Sequence, residues 1–222
     1  MTLHPVPVIA IDGPTASGKG TVAQRVAERL GFHYLDSGAL YRLTALVARQ
    51  QGVALENEGA VAELARRLDI RFDAGKIWLA DQEVSEAIRT EAVSQSASRV
   101  AALPAVRQAL LDRQRQFRQP PGLVCDGRDM GSVIFPDARL KVFLTAALEV
   151  RAERRTNQLK EKGISAIMAD VVKELRTRDQ RDSTRSSAPL RQEPDAHFLD
   201  TTQLSIDEAV QQIIRWYSET GA

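Results

Sequence analysis

Cysteine is nearly missing: Cys125 is alone among 222 residues. One thiol excludes an intramolecular disulfide and a cysteine-rich zinc site. No apolar run approaches the ~18 residues that a membrane span needs. Met1 to Val8 has two prolines and no basic stretch, unlike a secretory signal. Excess charge is missing as well. Lys plus Arg number 30 and Asp plus Glu 29, a net charge of +1. That is too little for a protein that coats nucleic acid. What remains is 43% hydrophobic and 27% charged, ordinary for a globular chain. A chain this long buries about 70% of its unfolded surface and needs no metal or disulfide staple. The expectation is a cytoplasmic enzyme or binding protein.

The near-zero charge hides a segregation. Residues 1–138 are neutral, residues 139–191 carry +6, and residues 192–222 carry −5. A basic segment inside a neutral protein suits a compact anionic ligand. A nucleic-acid surface would interleave aromatics with the cations to stack bases. This segment holds one aromatic, Phe143, within an apolar run, so no nucleic-acid partner is expected.

The pattern along the chain is α/β. Val6 to Asp12 reads as a buried strand, Lys19 to Leu30 as a helix stopped by Gly31, and Phe32 to Leu35 as a second strand. A helix follows over about 38–51. The rhythm then breaks. Ala60 to Leu68 reads as a helix, and residues 69–73 and 76–80 as a hairpin around Ala74-Gly75. Thr90 is placed to cap a helix to about Ala102, and Pro104 opens another to about Arg118. Strands return at Leu123 to Asp126 and Leu140 to Thr145. Helices over 148–162 and about 165–185 flank Gly163. A short strand, His197 to Asp200, precedes a last helix whose start, Ser205 with Glu208, makes a capping box. Alternating strands and helices predict a parallel sheet.

Between the first strand and first helix stands Gly13-Pro14-Thr15-Ala16-Ser17-Gly18-Lys19-Gly20-Thr21. The spacing fits G-x-x-x-x-G-K. Small residues let several backbone N–H groups converge on a polyanion, a helix N-terminus adds to the attraction, and a lysine reaches the transferring phosphates. Gly20 replaces the hydroxyl that usually follows the lysine, which favours Mg²⁺ held through water and phosphates over direct ligation by the loop. The N-K-x-D base motif of guanine-nucleotide switches is absent.

Two further stretches carry anion chemistry. Asp36-Ser37-Gly-Ala-Leu-Tyr-Arg42 opens the second helix. Ser37 is either a plain N-cap or a donor to an anion docked there. Arg42 is either a clamp on that anion or a solvated charge. Asp126-Gly-Arg128-Asp129-Met-Gly131 follows a buried strand, where ligands of open α/β sheets collect. Asp126 suits a magnesium-water role, Arg128 neutralises phosphate, and Asp129 can accept from an amino group. Cys125 reads as a small core residue. Arg178, Arg181, Asp182 and Arg185 recur at i, i+3, i+4 and i+7, one helical face. With Arg151, Arg154 and Arg155 on the preceding helix they suggest a basic lid that excludes water on closing.

Together these stretches resemble the bacterial-type cytidylate kinases, in the nucleoside-monophosphate kinase family of P-loop proteins. The resemblance covers essentially the whole chain. It rests on Ile11-Asp-Gly-Pro, Gly18-Lys-Gly-Thr, Leu35-Asp-Ser-Gly-Ala-Leu-Tyr-Arg42, Asp126-Gly-Arg-Asp-Met-Gly131, Phe135-Pro-Asp-Ala138 and Leu199-Asp-Thr-Thr-Gln-Leu-Ser205. It implies a three-layer P-loop fold with a parallel central sheet, an insertion containing a small β hairpin or sheet, and a short helical lid. The core would be about 1–58, 119–150 and 190–222, the monophosphate-binding region about 37–118 and the lid about 151–189.

The resemblance also implies the roles. ATP phosphates would lie on Gly13 to Thr21, with Lys19 at the β/γ bridge. Ser37, Arg42, Arg128 and Arg185 would hold the CMP phosphate. Ser98, Arg107 and Asp129 would read cytosine, and Arg178 and Asp182 would meet the pentose. ATP, CMP and dCMP are the implied partners, Mg²⁺ the cofactor and monomer the expected state. The acceptor is a phosphate oxygen already ionised at neutral pH. No general base is required, in line with His4, His33 and His197 all lying outside these motifs. Lys19, Arg128, Arg185 and Asp126 are the expected catalytic groups. A kinase for UMP, AMP or a small metabolite, and a P-loop protein that binds ATP without transfer, are the competing readings.

Overall fold

The computed structural model describes residues 5–73, 75–161 and 163–221. In chain order the elements are β1 (Val8–Asp12), α1 (Lys19–Leu30), β2 (His33–Asp36), α2 (Ser37–Gln50), α3 (Glu58–Arg66), β3 (Ile70–Asp73), β4 (Lys76–Leu79), β5 (Gln82–Glu83), α4 (Glu91–Val100), α5 (Pro104–Arg115), β6 (Leu123–Gly127), β7 (Leu140–Thr145), α6 (Leu148–Glu161), α7 (Met168–Thr184), β8 (His197–Asp200) and α8 (Ile206–Glu219). A 3₁₀ turn spans Ala87–Arg89 and a π turn Met130–Ile134. Among the described residues no helix is long and apolar enough to cross a membrane.

The chain divides into two compact units, Asp36–Arg115 and the remainder. The larger is built on a five-stranded sheet of order β2-β6-β1-β7-β8. β1 pairs in parallel with β6 and β7, so Asp12 lies beside both Gly127 and Phe143. A central strand has both faces covered, and all five β1 residues are buried accordingly. Ile9, Ile11, Val124, Val142 and Leu144 pack with Val22, Ala23 and Val26 of α1 and Val210 and Ile213 of α8. The helical spacing of those α1 residues thus faces one layer of core. Ala152 and Leu159 of α6 meet Val171 and Leu175 of α7 in a separate small cluster.

The smaller unit buries Leu40 and Leu43 of α2, Val61 and Ala65 of α3, Val100 of α4 and Leu110 of α5. Its strands form a three-stranded antiparallel sheet, β3-β4-β5. β5 is too short and too polar to show in the sequence; it pairs onto β4 after a two-residue reversal.

Four expectations need adjustment. Thr90 sits at the N-cap of α4, but its hydroxyl donates back to the Ala87 carbonyl (3.0 Å) and caps nothing. α5 ends at Arg115, and Arg118 turns away to donate to the Val6 carbonyl (2.7 Å). α7 begins at Met168 instead of Ser165, because the chain must reverse after the left-handed Gly163 before a helix can start. α7 also stops at Thr184. Arg185 is extended (φ −61°, ψ 143°) and does not continue the helical face of Arg178, Arg181 and Asp182. The loop folds back there: Leu190 N–H donates to the Asp182 carbonyl at 2.8 Å. Ala74, Lys162 and His4 lie outside the described residues.

Candidate active site

The glycine loop leaves the C-terminal end of β1 and enters α1. Gly13 passes so close to β7 that a Cβ there would stand 1.9 Å from the Leu144 carbonyl oxygen. Only glycine fits. Gly18, left-handed at φ 91°, takes the N-cap position of α1 and offers no side-chain cap, and the first turn has no acid. The first N–H groups of α1 are therefore left for an anion. Ser17 is 1% exposed, and its hydroxyl has no hydrogen-bond partner within the protein. A buried hydroxyl without a partner beside uncapped amides suits a phosphate cradle. Lys19 is buried, its Nζ donating to the Pro14 carbonyl at 3.3 Å.

Cations surround this loop. Arg128 reaches it from the turn after β6, Nη2 donating to the Thr15 hydroxyl (2.7 Å), Nη1 to the Gly127 carbonyl (3.1 Å) and Nε to Asp182 (2.7 Å). Arg151 donates to the Thr15 carbonyl (3.1 Å) and to Asp179 (2.7 Å). Arg154 donates to the Ser17 carbonyl (3.0 Å) and the Thr201 carbonyl (2.8 Å). Arg151 and Arg154 thus sit at the root of α6 and brace the loop backbone. Arg155 and Arg181 are half-buried on α6 and α7. Arg178 is 3.5 Å from Glu174. Arg185 is buried, donates to the Ala188 carbonyl (2.6 Å) and lies 3.8 Å from Asp129.

Burial and partners tune these groups. Burial opposes the charge of Arg128, but Asp182 outweighs it and holds the guanidinium more firmly protonated than usual. Burial would likewise raise the Asp182 carboxyl; the charge and hydrogen bond of Arg128, with Arg185 and Arg178, bring it below the usual carboxylate range. Burial, and then the charges of Asp12, Asp126 and Asp129, push the Cys125 thiol well up. It donates to the Ile9 carbonyl (3.6 Å) and is an inert core residue.

Asp126 ends β6, buried, and accepts from the Tyr34 hydroxyl at 2.7 Å. A Cβ on Gly20 would stand 3.8 and 3.9 Å from its two oxygens. The missing side chain leaves room beside the carboxylate. Among the described residues, no three His, Cys, Asp or Glu side chains cluster as a metal cage. One carboxylate next to a phosphate loop fits Mg²⁺, which keeps several waters and binds through substrate phosphates.

In the smaller unit Asp36, not Ser37, is the N-cap of α2, accepting from Ala39 N–H at 3.1 Å. Ser37 is the first helical residue, 3% exposed, and its hydroxyl is spared from capping. Arg42 pairs with Asp36, and its buried Nε has no hydrogen-bond partner within the protein. Ser98 on α4 and Arg107 on α5 are buried. Arg107 donates to the Ala101 carbonyl (3.2 Å) and lies 5.7 Å from the Tyr41 ring centroid.

A sequence model of the family described as cytidylate kinase matches residues 9–219. The chain belongs to the cytidylate kinase family. It is 58% identical over 217 residues to a cytidylate kinase of Chromobacterium violaceum, covering 98% of each chain. It is 57% identical over 211 residues to one of Bordetella pertussis, covering 95% of each. A gluconokinase structure from Sinorhizobium meliloti 1021 aligns with a TM-score of 0.51 at 14% identity, over 96% of this chain and 93% of that one. That likeness concerns the fold alone.

Three residues near the glycine loop were given no role from the sequence. Thr201 accepts from Arg154 and donates to the Thr145 carbonyl (3.0 Å). Tyr34 holds Asp126. Asp12 accepts from the backbone of the turn after β6. Asp12 stood in the sequence as an acid ending a buried apolar strand and within the Ile11-Asp-Gly-Pro stretch, with no role assigned to it.

Proposed function

We propose that the chain transfers the γ-phosphoryl group of ATP to CMP and dCMP, giving CDP and dCDP with ADP as co-product. The observation that carries this reading is the full-length match to cytidylate kinases on a chain whose loop leaves Ser17 and the α1 amides unsatisfied. In the larger unit, the backbone of Gly13 to Thr21 receives the ATP phosphates, and Lys19 leaves the Pro14 carbonyl for the β/γ bridge. Arg128 and Arg185 neutralise the transferring group, Asp129 accepts from the cytosine amino group, and Arg178 and Asp182 meet the pentose. In the smaller unit, Ser37 and Arg42 take phosphate, and Ser98 and Arg107 read the base. The unused Ser37 hydroxyl and the orphaned Arg42 Nε support this assignment. Residues 37–118 form the monophosphate-binding region, and residues 151–189 the lid.

The chemistry follows from charge. The CMP phosphate oxygen is ionised at neutral pH, so the protein has no proton to remove. Its work is in-line alignment and neutralisation of the phosphoryl oxygens by fixed cations in a site closed to water. Mg²⁺ on the ATP phosphates would add Lewis-acid charge neutralisation, and Asp126 would be the residue to orient its waters.

The test is ADP release from ATP and Mg²⁺ with a panel of nucleoside monophosphates. CMP and dCMP are expected to be the best acceptors. Faster turnover with AMP or UMP would overturn the acceptor assignment, and no ADP release with any of them would overturn the transfer reaction.

A further inference from the structure

We infer that Asp12 is a positioning residue for the turn that carries Arg128 and Asp129, acting through the backbone N–H groups of Met130 and Gly131. The inference rests on the phosphotransfer reading above. Asp12 ends the central strand β1 and is 8% exposed. One carboxylate oxygen accepts from Met130 N–H and the other from Gly131 N–H, both at 2.9 Å. These are the first two N–H groups of the π turn Met130–Ile134, whose start has no side-chain cap of its own. Such opening N–H groups lack partners within a helical turn.

The residue at the N-cap position is Asp129, a type that ordinarily caps its own turn. Here it does not. Its carboxylate lies instead 3.8 Å from Arg185, among the groups assigned to the acceptor. Asp12 performs the capping from a strand 118 and 119 positions earlier in the chain, and so leaves Asp129 to its other partners. The same turn sets the origin of Arg128, whose guanidinium spans Thr15, Gly127 and Asp182. A small displacement of the backbone at Met130 and Gly131 would misplace both side chains. Only a carboxylate serves: it accepts with both oxygens, whereas an amide accepts with one and sets an N–H₂ group against the other N–H.

The experiment compares wild type with Asp12→Asn, above neutral pH. Amide hydrogen exchange over residues 128–134 is expected to accelerate about tenfold in the variant, the effect of orphaning one buried donor. The KM for CMP is expected to rise and kcat to fall by about the same factor, with the KM for ATP within about twofold of wild type. Unchanged exchange in 128–134 would overturn the inference whatever the activity. So would equal rises in both KM values with kcat unaltered. Wild-type protein inactive on CMP would instead sink the acceptor assignment, while the exchange result still judges Asp12. If Asp12→Asn does not fold, Asp12→Ser, which keeps one acceptor oxygen, is read by the same exchange measurement.

Discussion

Arg128 and Asp182 form a largely buried ion pair, Nε to Oδ2 at 2.7 Å, with side chains 19% and 11% exposed. The pair joins the turn after β6 to α7, and the same guanidinium touches Thr15 of the phosphate loop. Removing one partner of a buried pair costs more than the pair contributes, because a charge is stranded. Asp182→Ala is expected to destabilise the protein by about 3–5 kcal/mol in urea titration. The sign with pH follows from the lowered Asp182 carboxyl. Its contribution is present above the ordinary carboxylate range and is lost as the pH falls through the lowered value. The gap between wild type and variant should therefore close in acid.

Lys19 is buried at the start of α1 and donates to the Pro14 carbonyl. Lys19→Met keeps the length of the side chain and removes the charge. The melting temperature is expected to stay within a few degrees, while kcat drops by about three orders of magnitude, the scale of losing one preorganised charge. Near-normal turnover would remove Lys19 from the chemistry.

Gly13→Ala places a Cβ 1.9 Å from the Leu144 carbonyl, backbone against backbone in the centre of the sheet. β7 cannot yield without breaking its ladder, and Gly13 follows directly on β1. A loss of about 3 kcal/mol or more is expected in denaturant titration, with weaker ATP binding. Wild-type stability in this variant would contradict the close approach of loop and β7.

Asp12 is an acid with the opposite linkage. Burial pushes its carboxyl up to about 7 from an ordinary 3.8, against the two N–H groups and with help from Asp129. Between about pH 4 and pH 7 the native state retains a proton that the unfolded chain has released, so stability falls as pH rises through that window. Asp12→Asn lacks the titration. Its melting temperature relative to wild type is expected to climb by about 5 °C across the window, in melts at matched ionic strength. A constant difference would refute the shift.

Much of the candidate site was legible because it is local. The loop from Gly13 to Thr21 announces itself through glycine spacing, since its amides and its helix start lie within one short segment. Lys19 and Asp126 needed only their positions at strand and helix ends. Asp36 and Ser37 show the limit: both are good caps, adjacent in sequence, and only the extended backbone at Asp36 (φ −81°, ψ 95°) makes it the cap and spares the Ser37 hydroxyl. Arg185 shows another. Helical spacing put it on a stripe with Arg178 and Arg181, but bonds to Ala188 and from Leu190 to Asp182 end α7 one residue earlier.

Composition and pattern by themselves determined a parallel α/β chain with a phosphate loop, a broken middle and a basic segment at 139–191, because strand burial, helix periodicity and glycine turns act over a few residues. The tertiary structure decided which partners each charge meets. Arg151 and Arg154 resemble Arg155 in sequence, yet packing of α6 turns them onto the carbonyls of Thr15 and Ser17. Asp12 and Met130 meet across 118 positions only because β1 lies beside β6 in the sheet. Hydrogen bonds between distant segments depend on strand order, and no local pattern of residues encodes it.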